Sequence, residues 1–332
     1  MTRRGKPVLS VGKLPPDVLA RTVFPYAGAR REDVLVSAAT GEDAAVLDFG
    51  PWACVASTDP ITGASERIGW YAVNVACNDL AASGAEPVAL LLTLLLPDGT
   101  AEEAVEQVMS QAHRAADALG VAIAGGHTEV TAAVNRIVVS ATAIGRARSG
   151  AWLKTGGACA GDELIVTKAA GLEGTAILAA DAASRLERLS PDVLRRARSF
   201  LNELSVVPDA AAAMDAGATA MHDATEGGVL GAACEMALAS GIGVEVDASL
   251  VPIRSETAAI CSALGLDPLR LISSGALLVA APANADAAGR IRARGIEAAV
   301  IGRFTDEGFF LIEEGRCKAI VPSSDDELWR AL

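Results

Sequence analysis

Apolar residues in this chain come in short runs, broken by glycines, prolines and charges. From Val34 the runs have strand length: Val34–Ala38, Ala44–Asp48 and Ala53–Ser57, punctuated by Gly41, Gly50 and Pro51. Ile68 to Ser83 reads as a helix closed by Gly84. Val88–Leu96 is nearly all apolar, so it is expected to be a strand buried on both faces or part of an interface. Thr100-Ala-Glu-Glu103 has the form of a capping box opening a helix to Leu119. Val121–Ala124 and Arg136–Gly145 read as further strands, the first running into Gly125-Gly126-His127-Thr128.

The Gly- and Ala-rich stretch from Ala147 to Gly161 reads as a linker. Beyond it, strands Glu163–Lys168, Ala218–His222, Val244–Asp247, Ala276–Ala281 and Ala299–Arg303 alternate with helices such as Val229–Ser240 and Ala283–Arg294. The alternation predicts α/β or α+β layers in both halves. The expected organisation is an amino-terminal arm over 1–33, a first domain over 34–150 and a second over 160–332.

The bulk numbers narrow the possibilities. At 332 residues, half of them hydrophobic, the chain is long enough for two cores. The net charge is -13, and the Arg-Arg pairs at Arg3, Arg30 and Arg195 are isolated, so nucleic acid is not an expected partner. The six cysteines form no Cys-x-x-Cys pair and read as small core hydrophobes in a reducing compartment. Val88–Leu96 stops at Pro97, well short of the roughly 20 residues that span a bilayer. A cytoplasmic protein without a membrane segment is expected.

Four aspartates carry the candidate chemistry. Asp43, Asp59, Asp79 and Asp223 each sit among Gly, Ala, Ser and Thr, at or near the end of an apolar run. Small neighbours leave room for a bulky polyanion, and magnesium favours a few carboxylates plus phosphate oxygens. Asp223 is followed by Thr225-Glu226-Gly227-Gly228 at a helix start, where bare N–H groups face an anion. Capping of that helix is the structural alternative. Asp79 lies in the last turns of its helix, where a carboxylate opposes the dipole and a cation would reverse the penalty. Asp43 and Asp59 read as turn residues, which serve equally as Asx-turns. Gly125 and Gly126 read as a turn whose N–H groups are able to approach a phosphate, and His127 and His222 fall in these loops. Neither a P-loop nor a dinucleotide Gly-x-Gly-x-x-Gly is present.

In order, Gly-Glu-Asp43-Ala-Ala-Val, Thr-Asp59, Asn78-Asp79-Leu-x-x-x-Gly84-Ala-x-Pro, Gly-Gly-His-Thr128 and His-Asp223-x-Thr-Glu-Gly-Gly resemble the aminoimidazole ribonucleotide (AIR) synthase superfamily. That superfamily includes PurM, hydrogenase-maturation HypE, selenophosphate synthetase and thiamine-monophosphate kinase. Asp162–Lys168, Gly171-Leu-Glu-Gly174-Thr and Leu264–Leu269 are most similar to the HypE branch, and Gly12-Lys13-Leu resembles its arm. Pro60-Ile-Thr-Gly63 departs from PurM, and an arm without cysteine departs from selenophosphate synthetase. The chain also ends Asp326-Glu-Leu-Trp-Arg-Ala-Leu332, where HypE carries a terminal cysteine bearing its carboxamide.

The resemblance implies a two-domain PurM-like α/β fold, with amino-terminal strands forming a barrel across a homodimer interface. It implies ATP and Mg2+ in a cleft, with Asp43, Asp59, Asp79 and Asp223 holding metal. Asn78, Gly125, Gly126, Thr128, Gly227 and Gly228 would complete the nucleotide site. Lys13 would close over the phosphates, and His127 or Glu226 would transfer protons. The implied activity is phosphorylation of an amide or carboxamide oxygen that drives dehydration or cyclisation, within a hydrogenase-maturation complex. A small-molecule synthase or kinase of the same superfamily, or a catalytically idle ATP-binding partner, are the alternatives.

Overall fold

The computed structural model of the chain describes residues 16–26, 31–39, 41–62, 67–321 and 326–331. Lys13 and most of the expected arm lie outside them. The first half runs α1 (Pro16–Thr22), β1 (Val34–Val36), β2 (Ala45–Phe49), β3 (Trp52–Ile61), α2 (Ile68–Ala82), β4 (Glu86–Leu96), α3 (Glu102–Leu119), β5 (Ala122–Val130) and β6 (Val138–Arg148). Its strands form one sheet in the order β1-β2-β3-β6-β4-β5, antiparallel except for β4 beside β5.

The second half continues with β7 (Asp162–Thr167), α4 (Leu172–Asp181), α5 (Pro191–Ser199), α6 (Val207–Ala216), β8 (Ala220–Asp223), α7 (Gly228–Ser240) and β9 (Gly243–Asp247). Then follow α8 (Ser255–Leu264), β10 (Leu277–Pro282), α9 (Ala287–Ala293), β11 (Ala298–Thr305), β12 (Phe309–Glu313), β13 (Arg316–Ala319) and α10 (Leu328–Ala331). The second sheet is ordered β13-β12-β9-β11-β7-β10-β8, antiparallel except for β9 beside β12. The two-domain α/β layering read from the sequence is therefore present. No described helix is long and apolar enough to cross a membrane.

Helix α2 is the hinge of the architecture. It is buried along nearly its whole length, because the first sheet, α3 and α6 pack around it. Gly69 permits the approach to α3: a Cβ there would stand 2.2 Å from the Val108 carbonyl oxygen. At the other end, the Asn78 amide donates to the Leu204 carbonyl at 2.8 Å and accepts from the Val206 N–H at 2.8 Å. These two buried bonds tie the domains together.

Several local expectations change. Asp59 is not in a turn: β3 runs on through it to Ile61, with Asp59 opposite Ala141 of β6. Gly125–Thr128 is not a turn either but the body of edge strand β5. Gly126, at φ 142°, is needed because a Cβ would meet the Leu92 carbonyl oxygen of β4 at 1.9 Å. Thr100 does not cap α3, whose N-cap is Ala101; the Thr100 hydroxyl donates back to the Pro97 carbonyl instead. Strand β4 alternates, with Leu90, Leu92, Leu94 and Leu96 buried while Val88 and Leu91 are exposed. Cys77, Cys234 and Cys261 are core residues, but Cys159 and Cys317 are exposed.

Candidate active site

The four aspartates converge. Asp43 precedes β2, Asp59 lies near the end of β3, Asp79 in the last turn of α2 and Asp223 at the end of β8. All four line one cleft of about 500 Å³ where the two domains meet.

Crowding sets the electrostatics. Burial pushes the Asp79 carboxyl well above its usual range, and Asp223, Asp59 and Asp43 push it in the same direction. Its Oδ2 accepts a hydrogen bond from the Ser57 hydroxyl at 2.5 Å. Four acids in a half-enclosed space repel one another, and a cation among them turns that repulsion into attraction. Ligand atoms of Asp43 and Asp223 lie within 4.8 Å of one another, close enough to share an ion. A carboxylate set of this kind suits a hard, oxygen-seeking cation.

Behind the aspartates sits a buried chain of charge. His222 Nδ1 is 2.7 Å from the Asp43 carboxylate, and its Nε2 is 2.9 Å from Glu235 on α7. Burial disfavours the charged imidazole, but Asp43 and Glu235 outweigh it and hold the His222 pKa well above its ordinary value. Both ring nitrogens then donate, and the ring orients Asp43.

Other expected residues are placed differently. Glu226 lines the cleft. The Gly227 N–H donates to Asp326 at 2.8 Å and the Gly228 N–H to the Thr225 carbonyl at 3.1 Å, so both donors are engaged within the loop. Asn78 is committed to the domain joint. Gly125, Gly126, His127 and Thr128 line a separate hollow of about 240 Å³ on β5, where His127 pairs with Glu129 at 3.3 Å. They are not among the residues that line the aspartates' cleft.

Three contributors escaped the sequence reading. Glu235 is the one charged residue of an otherwise apolar α7, which was the available signal. Glu173, in the first turn of α4, is likewise an acid inside an apolar run. Ser57 carries no signal of its own, because nothing local distinguishes a hydroxyl that faces α2.

Two α/β domains meeting at an aspartate-lined cleft define a class, and comparison with known proteins identifies it. Residues 41–147 match the family described as AIR synthase related protein, N-terminal domain, and residues 160–313 match its C-terminal domain. The chain belongs to the AIR synthase-related family. Within that family its similarity is to HypE proteins. It is 33% identical to the carbamoyl dehydratase HypE of Rhodobacter capsulatus over 86% of this chain and 83% of that protein. HypE in a HypE–HypF complex superimposes with a TM-score of 0.75 at 24% identity, covering 91% of this chain and 99% of that one. HypE in complex with ATP gives a TM-score of 0.67 at 22% identity, covering 97% and 98%. These two likenesses are likenesses of fold.

Proposed function

We propose that this chain is a HypE-like enzyme of hydrogenase maturation that uses ATP and Mg2+ to phosphorylate an amide or carboxamide oxygen, driving dehydration. The observation carrying this reading is the convergence of Asp43, Asp59, Asp79 and Asp223, from four separate elements, on one cleft. The relationship to a carbamoyl dehydratase and the fold shared with an ATP-bound HypE support it.

Phosphoryl transfer demands positioning and charge neutralisation more than covalent help from the protein. Asp43, Asp59, Asp79 and Asp223 would hold magnesium, which neutralises phosphate charge when bound. The Glu235–His222–Asp43 chain fixes the carboxylate of Asp43. Glu226 lines the cleft and would exchange a proton with substrate. Lys13 would contribute a cation from the arm.

Two partners follow from the same reading. A second copy of the chain would cover Val88 and Leu91 on β4 and Val130 on β5, which one protomer leaves exposed. A maturation protein is the other, since a HypE of the same fold forms a complex with HypF. The test is magnesium-dependent ATP binding and turnover in wild type, Asp79→Asn and Asp223→Asn. The proposal requires both to collapse in the variants while folding is retained, and it fails if wild-type turnover persists in both.

A further inference from the structure

Trp329 of α10 and Thr62, just after β3, line two spaces at once: the aspartate cleft and a neighbouring hollow of about 470 Å³. The rest of that hollow comes from the connection between β5 and β6, with Val134, Asn135 and Arg136 among its lining residues. Both walls are held from behind. The Thr131 N–H donates to the Leu96 carbonyl at 2.8 Å, and the Thr131 hydroxyl accepts from the Ala133 N–H at 3.3 Å, a turn that starts the loop beside the end of β4. On the other side Leu328 is 1% exposed, packed in the core with α4, and its N–H donates to Asp326 at 2.8 Å. Burying Leu328 leaves the next residue, Trp329, 40% exposed where the two spaces adjoin.

Charge separates the two spaces. Seven acids line the cleft, and no lysine, arginine or histidine does among the described residues. Arg136 is the one charged residue that lines the hollow among them. It is exposed and forms no ion pair with any described residue, although the chain carries a net charge of -13. A ligand that reaches both spaces therefore meets opposite fields. An anionic group without a metal escort is repelled by the cleft and attracted to Arg136. The guanidinium fork matches a carboxylate with two parallel hydrogen bonds. A single guanidinium offsets one charge, which suits a carboxylate better than a dianionic phosphate. Val134 and Trp329 offer apolar surface to a stem lying between the two ends.

Resting on the proposed ATP-dependent function, we infer that this hollow is a specificity subsite for the far end of the phosphoryl acceptor, where Arg136 binds a carboxylate. The acceptor is then an amide that also carries a carboxylate. Its amide oxygen lies in the cleft, its stem passes Trp329, and its carboxylate ends at Arg136.

The test uses the full chain and a series of amide carboxylates, succinamate, glutaramate and adipamate, each beside the corresponding neutral diamide. In calorimetry at least one acid should bind wild type about tenfold more tightly than its diamide, as one charge-assisted contact predicts. Arg136→Gln should erase that difference, and Arg136→Lys should keep part of it. In assays of ADP formation, Arg136→Gln should raise KM for the acid about tenfold while kcat stays within about twofold. Its Mg·ATP affinity should stay within about twofold of wild type, and a fall of about tenfold would give the hollow to the nucleotide and overturn the inference. No binding of any acid, equal binding of acids and diamides, or an acid preference that survives Arg136→Gln each overturn it as well. An Arg136-dependent acid preference without any ATP binding would instead sustain the subsite and remove the ATP-dependent function.

Discussion

His222 and Asp43 lie 179 residues apart in sequence, yet the imidazole Nδ1 is 2.7 Å from the Asp43 carboxylate, and the contact spans the two domains. Glu235, 2.9 Å from the other ring nitrogen, completes an acid–imidazolium–acid chain buried under the cleft. Removing the ring leaves two carboxylates facing one another in a low-dielectric setting. His222→Ala is expected to destabilise the protein by about 3–5 kcal/mol, as breaking a buried ion pair does. Urea denaturation at pH 7 measures it, and a loss below about 1 kcal/mol would show that the chain does not hold the domains.

The aspartate cluster should behave as a site that trades stability for binding. Burial and three acidic neighbours raise the Asp79 pKa, so Asp79→Asn relieves repulsion in the ligand-free protein. Its melting temperature is expected to match or exceed that of wild type. Adding Mg·ATP at 100 times its dissociation constant stabilises a binder by about 2.7 kcal/mol, and this increment should vanish in the variant. Differential scanning fluorimetry reads both. A variant that is less stable when ligand-free yet keeps the increment would make Asp79 structural.

Stability should fall as pH rises from about 5 to 8 in the ligand-free protein. Glu173 and Asp326 have folded pKa values pushed up by burial to about 7 and about 6, so across that interval the native state binds more protons than the unfolded chain. His222 is also raised in the native state, and its contribution, full below its unfolded pKa, is lost as pH climbs through the folded value. All three effects share one sign. Glu173→Gln should flatten the profile, removing on the order of 1–3 kcal/mol of the decline. Equilibrium unfolding at pH 5, 6, 7 and 8 checks it, and a wild-type curve that rises with pH contradicts the assignment.

The exposed face of β4 and β5 should be covered by a second copy. Val88 and Leu91 stand 42% and 39% exposed, and Val130 stands 58% exposed. Leu91→Glu places a charge in the middle of that face and is expected to yield monomer by analytical ultracentrifugation at micromolar concentration. Wild type should sediment as a dimer there. An unchanged sedimentation coefficient in the variant would remove this face from any interface.

The pattern of apolar runs and breakers was enough for the layered two-domain fold, because a strand or helix must bury one face and its period records which. It also placed α2 and β4 within a residue or two of their observed bounds. The order of the aspartate motifs was equally legible: small residues around each carboxylate are a local property. Distance in sequence hid the rest. Asp59 looked like a turn residue because proline follows it, but pairing with β6 keeps the backbone extended. Gly125-Gly126 looked like a turn because glycines usually make one, but both lie in a strand, where the close approach of β4 demands a glycine at 126. Asn78 looked like a ligand, and its amide is spent on the backbone of the other domain. Glu173 and Glu235 were isolated acids in apolar runs, with no local sign of what they would face. What a chain places next to itself is written in its periodicity. What it places across 179 residues is decided only when the two sheets pack, because burial and orientation there depend on partners that no local window contains.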